Sequence, residues 1–346
     1  PSAVKVRAAG PRRTMRAVSI SGMTVTQAPP TPRGLPASGA ARAVLLIGPA
    51  AAGLAILASL LGRVPSSTPE VPAWALVAAI IALAVGIPHG AVDHLMLPAL
   101  PRGAKLLGMA AVYLALAAAA TIAILIAPGP AFLVVIAMTV WHFGSGDVEA
   151  WATLTGEPVH PSGWRKALLA VAAGGAPVVL PLTSPAALTT LTTLHPSLGD
   201  WWSAPGTTYL RIAILAAVVV SIIVLLHTGR PIAAVHLGIL AALGIFAAPL
   251  LAFAVYFGAW HALRHTARLA EHRYGNITWA GIGRVTLMGT PALIGTIVVV
   301  AIAIAFTGSL AALAPWLWIG LAVVWGLTVP HMSLVEYFDR RATTRT

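Results

Sequence analysis

The sequence predicts an all-α, polytopic integral membrane helical bundle of about ten transmembrane helices (about 8–10), with both termini cytoplasmic. Three observations carry that prediction. Of 346 residues, 58% are hydrophobic and 9% charged, with a mean hydropathy of +0.89, whereas roughly a quarter of a soluble domain is charged. Apolar runs long enough to cross a hydrocarbon core recur along the chain. The basic residues also distribute unevenly between the loops that those runs define.

Residues 1–40 are rich in Pro, Ser, Ala and Arg, have no sustained apolar run, and read as a disordered basic arm. A transmembrane catalytic domain is expected over 41–337, followed by a short basic cytoplasmic tail over 338–346. Within the domain, apolar runs cover 41–62, 72–97, 104–127, 130–150 and 164–183, then 207–228, 231–247, 249–272, 285–307 and 313–336. The Thr/Leu-rich stretch 184–195 reads as an interfacial or re-entrant piece. The seventh and eighth runs meet at Ala248–Pro249 and read either as two spans or as one long bent helix.

Charge tests the count independently of hydropathy. With ten spans and the N-terminus inside, only Arg63 and Arg211 of the 21 Lys and Arg residues fall on the outer side. A miscounted helix would swap the sides of every later loop and spoil that asymmetry. The net charge of +12 is therefore a topology signal, and nucleic acid is not an expected partner. The chain has no cysteine, which excludes disulfides, thiolate metal sites and cysteine nucleophiles.

The histidines share an address. His89 and His94 lie at the cytoplasmic end of the second span, in GIPHGAVDHLML, and His142 lies near that end of the fourth, in TVWHFGSGDVEAW. His261 and His265 occupy that end of the eighth, in YFGAWHALRHTARL, and His331 that of the tenth, in LTVPHMSLVEYF. All four spans run towards the cytoplasm, so these side chains arrive at one depth.

A single histidine near a helix end is ordinarily interfacial, and that reading stands for His94. The group reads differently, because ionisable residues within spans are rare and face the bundle interior. His261 and His265 are spaced i, i+4 and share a helix face. With His89 and His142 at matching depth, a shared metal is the better reading. Pro88 and Pro330 each precede a histidine and free a carbonyl, a break that swings the next side chain. Asp93, four residues after His89, and Asp147 are expected to orient imidazoles rather than to bind metal. Four neutral imidazoles do not identify the ion. The absence of HExxH, with nine acidic residues in all, favours redox chemistry on an apolar substrate over hydrolysis.

GIPHGAVDH, WHFGSGD, WHALRH and VPHM, in that order on a multi-span chain, resemble the bacteriorhodopsin-associated (Brp/Blh-like) β-carotene 15,15′-dioxygenase family, over about residues 75–337. The resemblance implies central cleavage of β-carotene by O2 into two molecules of all-trans retinal, using non-haem Fe(II). It implies His89, His142, His261 and His265 as metal ligands, with His331 in a supporting role. It further implies a multi-pass protein of the cell (inner or plasma) membrane, with a retinal-binding rhodopsin as a functional partner.

β-Carotene is an apolar rod about as long as the bilayer core is thick, roughly 30 Å, so an enzyme in lipid meets it directly. Trp141, Phe143, Tyr256, Phe257 and Trp260 surround the histidine motifs and are expected to line the substrate cavity. Trp151 reads better as an interfacial aromatic. Two other classes compete. A di-iron carotene hydroxylase or ketolase typically needs more histidines and HH pairs, and this chain has no HH. A proton-coupled carrier would spread polar residues through the membrane depth. Bis-histidine haem ligation is the weakest of these readings.

Overall fold

The computed structural model describes residues 38–62, 73–92, 95, 103–157, 163–201, 204–307 and 313–343. Among the described residues the chain is helical throughout, with no strand. In order the helices are α1 (Gly39–Leu60), α2 (Ala73–Gly90), α3 (Ala104–Ile126), α4 (Pro128–Thr155), α5 (Trp164–Leu182), α6 (Pro185–Leu194) and α7 (Pro196–Trp201). They continue with α8 (Ala204–His227), α9 (Pro231–Phe246), α10 (Pro249–Ala254), a π-helical turn over Val255–Ala262, α11 (Leu263–Tyr274), α12 (Trp279–Thr307) and α13 (Leu313–Thr343). Most of the expected arm, residues 1–37, lies outside the described residues.

Local chemistry sets the helix ends. Ser38 caps α1 by accepting from Ala41 N–H at 3.1 Å, while its own hydroxyl donates to the Ile277 carbonyl at 2.7 Å. Prolines open α4, α6, α9 and α10, where their fixed φ suits the first turn and no N–H is missed. Gly156 and Gly275 end α4 and α11 in the left-handed region, at φ 73° and 72°.

Among the described residues, each of the ten apolar runs carries a helix. Seven helices among the described residues are long and apolar enough to cross a membrane, while α9 and the apolar part of α2 are shorter. The 184–195 stretch folds as the short helix α6, with α7 after it. α9 and α10 are separate helices, because Ala247 and Ala248 adopt extended backbone (ψ 150° and 138°) between them. α4 and α13 continue well past their apolar runs, α13 into the expected tail.

The exterior is apolar, and the apolar interior encloses a small set of polar side chains. Leu54, Leu107, Ile126, Leu226 and Leu287 are exposed, a surface that only lipid would satisfy. Together with the long apolar helices it makes the fold a helical membrane bundle. The buried polar residues, apart from Ser221, Thr266 and Thr296, are histidines, Asp147, Arg264 and Arg268. Small residues let the helices that carry them approach closely. A Cβ on Gly144 of α4 would stand 1.7 Å from the Ala170 carbonyl oxygen of α5. One on Gly174 of α5 would stand 1.9 Å from that of Val140. α5 packs also on α8 and α9, α13 on α3, and α2 on α12, α10 and the π turn.

Candidate metal centre

Five histidines converge from five elements of the fold. His89 ends α2 behind Pro88, and His142 sits inside α4. His261 lies in the π turn, His265 in the first turn of α11, and His331 inside α13 behind Pro330. None is more than 4% exposed. The expected position at helix ends is corrected for His142 and His331, because α4 and α13 run on to Thr155 and Thr343. Polar residues there continue the helix that the apolar run began.

The rings form one cluster. Centroids lie 5.5 Å apart for His89 and His261, 5.3 Å for His89 and His265, 5.4 Å for His142 and His261, and 6.1 Å for His261 and His265. Imidazoles bound to one ion through bonds of about 2.1 Å would hold adjacent centroids roughly 4.5–5.2 Å apart, somewhat closer than any of these four pairs. His89 Nδ1 and both ring nitrogens of His261 and His265 are buried and lack a hydrogen-bond partner. Unsatisfied nitrogens at this density fit a shared cation. Among the described residues no three or more His, Asp or Glu side chains stand close enough to hold a metal ion as they are placed. The rings share a volume rather than a single point, and closing on an ion needs imidazole rotation about the broad χ2 torsion.

The WHFGSGD stretch places each of its side chains differently. The Trp141 indole N–H donates to Glu336 Oε2 of α13 at 2.8 Å, and Phe143 packs 4.4 Å from the His261 ring. Gly144 admits the α5 backbone, and Gly146 faces His261, where a Cβ would stand 3.2 Å from Cε1. Asp147 Oδ1 lies 3.4 Å from His261 Nδ1, and Oδ2 accepts from the Tyr256 hydroxyl at 3.0 Å. Asp147 thus stands behind an imidazole, the position of an orienting carboxylate. Asp93 and His94 lie outside the described residues.

The π turn is a wider turn that recurs at functional sites. It carries Tyr256, Phe257, Trp260 and His261. Phe257 reaches His89 at 5.7 Å and stacks on Phe253 at 5.3 Å. Gly86 makes room for it, because a Cβ there would stand 2.0 Å from the Phe257 ring. Of the aromatic side chains expected to line a substrate cavity, Phe143 and Phe257 border the histidines directly. The Tyr256 hydroxyl is engaged by Asp147 and the Trp141 indole by Glu336. Trp260 packs on Gly48 of α1, on His236 at 5.5 Å and beneath the Arg264 guanidinium at 4.1 Å. Trp151 turns inward onto His236 at 5.0 Å.

Several residues beside the centre escape sequence reasoning. Arg264 and Arg268 count in the sequence only as basic residues at the cytoplasmic end of the eighth span, yet they are 2% and 8% exposed. Arg264 Nη2 donates to His236 Nδ1 at 3.1 Å, which makes that nitrogen an acceptor and His236 a neutral Nε2–H tautomer. Asp147, His236, Trp260 and Arg264 border a cavity of about 50 Å³. Arg268 pairs with Asp339 across helices. The available signal was spacing: 261, 264, 265 and 268 recur on one helix face.

A helical membrane bundle enclosing a cluster of buried imidazoles defines the class of molecule. The chain belongs to the β-carotene 15,15′-dioxygenase family, whose model matches residues 80–339, and it is therefore an enzyme. The probable β-carotene 15,15′-dioxygenase Blh of Halobacterium salinarum is 27% identical over 339 residues, covering 87% of this chain and 93% of its own. The β-carotene 15,15′-dioxygenase of uncultured marine bacterium 66A03 is 28% identical over 274 residues, covering 75% of this chain and 92% of its own. No solved structure matches the chain.

Proposed function

We propose that this enzyme works within the cell membrane as a multi-pass protein. It splits the central 15,15′ double bond of β-carotene with O2 into two molecules of all-trans retinal, using Fe(II) held by histidines. The observation that carries this reading is the cluster of near-fully buried imidazoles, in which His89, His261 and His265 keep unpartnered nitrogens. Each such nitrogen costs about 1–3 kcal/mol when left unsatisfied, and a shared cation would satisfy one nitrogen on each ring. His89, His142, His261 and His265 would hold the ion. Fe(II), when bound, supplies the electron-transfer chemistry that ground-state O2 needs before it reacts with a spin-paired hydrocarbon.

The chain's own residues do the rest. Asp147, held by Tyr256, orients His261 and offsets part of the charge that neutral imidazoles leave uncompensated. Phe143 and Phe257 present apolar rings beside His261 and His89, where a polyene without hydrogen-bonding groups can pack. The apolar bundle admits the hydrocarbon from the bilayer and keeps water from the reacting carbons. The atoms balance without a reductant: one carbon–carbon double bond breaks, and each of its carbons gains one oxygen atom of the same O2. A retinal-binding rhodopsin would consume the product without needing to touch this chain.

The test is retinal formation in a bacterial host that accumulates β-carotene, with the unmodified chain compared with His142→Ala. Loss of orange pigment and appearance of retinal, both abolished by the substitution, is the expected result. Intact β-carotene beside well-expressed unmodified protein would overturn the substrate assignment.

A further inference from the structure

We infer that His331 is a fifth imidazole ligand of this centre, an inference that rests on the metal-centre reading above. The motif around His331 suggested only a supporting role. Its ring, however, lies within the cluster: 4.7 Å from His142 on α4, 5.5 Å from His89 on α2 and 6.2 Å from His265 on α11. The contact with His142 is shorter than any centroid separation within the four-histidine set.

The nitrogen geometry is more specific. His331 Nε2 and His142 Nε2 stand 3.2 Å apart. Two nitrogens at that separation, each about 2.1 Å from one ion, subtend roughly 100° at it, an ordinary angle between neighbouring ligands. The competing arrangement is a direct hydrogen bond. In that case one Nε2 carries the proton and is lost as a donor to metal, and His142 or His331 must turn away from any ion. An ion beside both nitrogens uses both.

The surrounding fold fixes the rotation of α13 so that His331 stays inside. Glu336 accepts from Trp141, the neighbour of His142, and Asp339 pairs with Arg268, three residues beyond His265. These two carboxylates follow His331 by roughly one and two turns and clamp α13 against the helices that carry two other histidines. Gly90, next to His89, faces the His331 ring, with a Cβ position 3.4 Å from it. The chemistry agrees. β-Carotene is a hydrocarbon with no atom that coordinates a metal, so the proposed reaction needs an open position for O2 alone. Five imidazoles on a six-coordinate ion leave one.

The full-length chain would be purified in lipid nanodiscs, loaded with Fe(II) without O2, and examined by X-ray absorption at the iron edge. His331→Ala would be measured in parallel, with His331→Gln as a less disruptive partner. The unmodified protein should show the scattering of about five imidazoles, and each variant about one fewer. Added free imidazole should restore the lost scattering in His331→Ala. Iron affinity should also fall about 10–100-fold, but a residue that merely positions His142 would produce that too, so the ligand count decides. A count of four in the unmodified protein, or an unchanged count in the variants, would overturn the assignment and leave the centre intact. An unmodified protein that takes up no iron would overturn the centre as well, which distinguishes the two failures.

Discussion

Arg268 of α11 and Asp339 of α13 form a two-pronged ion pair, with Nη2–Oδ1 at 2.7 Å and Nη1–Oδ2 at 3.4 Å. The pair is largely buried, its side chains 9% and 18% exposed. It joins the helix that carries His265 to the helix that carries His331. Removing one partner strands a charge in the bundle, whereas removing both strands none.

Arg268→Leu is therefore expected to destabilise the protein by about 3–5 kcal/mol, read as an earlier thermal transition in detergent. The double variant Arg268→Leu, Asp339→Leu should recover much of the loss. A double variant as unstable as the single one would show that the pair acts through packing and not through charge.

Among the described residues Asp147 is the carboxylate that contacts a histidine of the cluster. Asp147→Asn keeps the shape but removes the charge behind His261, and iron affinity should fall about 10–100-fold. Tyr256→Phe removes one hydrogen bond to the same carboxylate, worth about 1.5–3 kcal/mol, and should have a smaller effect in the same direction. Chelator competition measures both. Equal affinity in Asp147→Asn would remove Asp147 from the centre.

The close approach of α4 and α5 depends on Gly144, whose Cβ position is 1.7 Å from a backbone carbonyl. Gly144→Ala should cost roughly 1–3 kcal/mol or more, since backbone must move and not a side chain. Gly53→Ala on α1, with nothing within 4 Å, should be neutral or slightly stabilising, by up to about 1 kcal/mol. Thermal unfolding of the two variants side by side checks the contrast.

The helices and the cluster were legible in the sequence for separate physical reasons. A segment that crosses lipid must be long and apolar, so hydropathy locates it. Ionisable groups are costly in lipid, so His89, His142, His261 and His265 stood out against the runs that carry them. Other features left no such mark. The π register of Val255–Ala262 changes hydrogen bonding and not composition. Arg264 counts only as a basic residue at a span end because hydropathy scores residues singly, and its burial depends on Trp260 one turn earlier and on His236 of α9. The inward turn of Trp141 onto Glu336 spans 195 positions, and no local spacing encodes it. The ends of α4 and α13 were misplaced because helix propensity, not hydropathy, carries them past the apolar run.

Phe143 and Phe257 border the cluster without hydrogen-bonding roles. Phe257→Ala should lower the rate of β-carotene cleavage at least about tenfold, through lost positioning, with iron content unchanged. The pairing of these readouts separates a substrate-lining side chain from a structural one. Iron lost in parallel with activity would place Phe257 in support of His89 instead.

The central question is whether the histidines hold the metal that the reaction uses. The most direct measurement is iron content and retinal yield on the same purified samples of unmodified protein, His142→Ala and His265→Ala. The expected result is about one iron per unmodified chain, retinal formed at two per β-carotene consumed, and loss of both iron and retinal in each variant. Retinal formation by iron-free protein, or full iron retained by both variants, would contradict it.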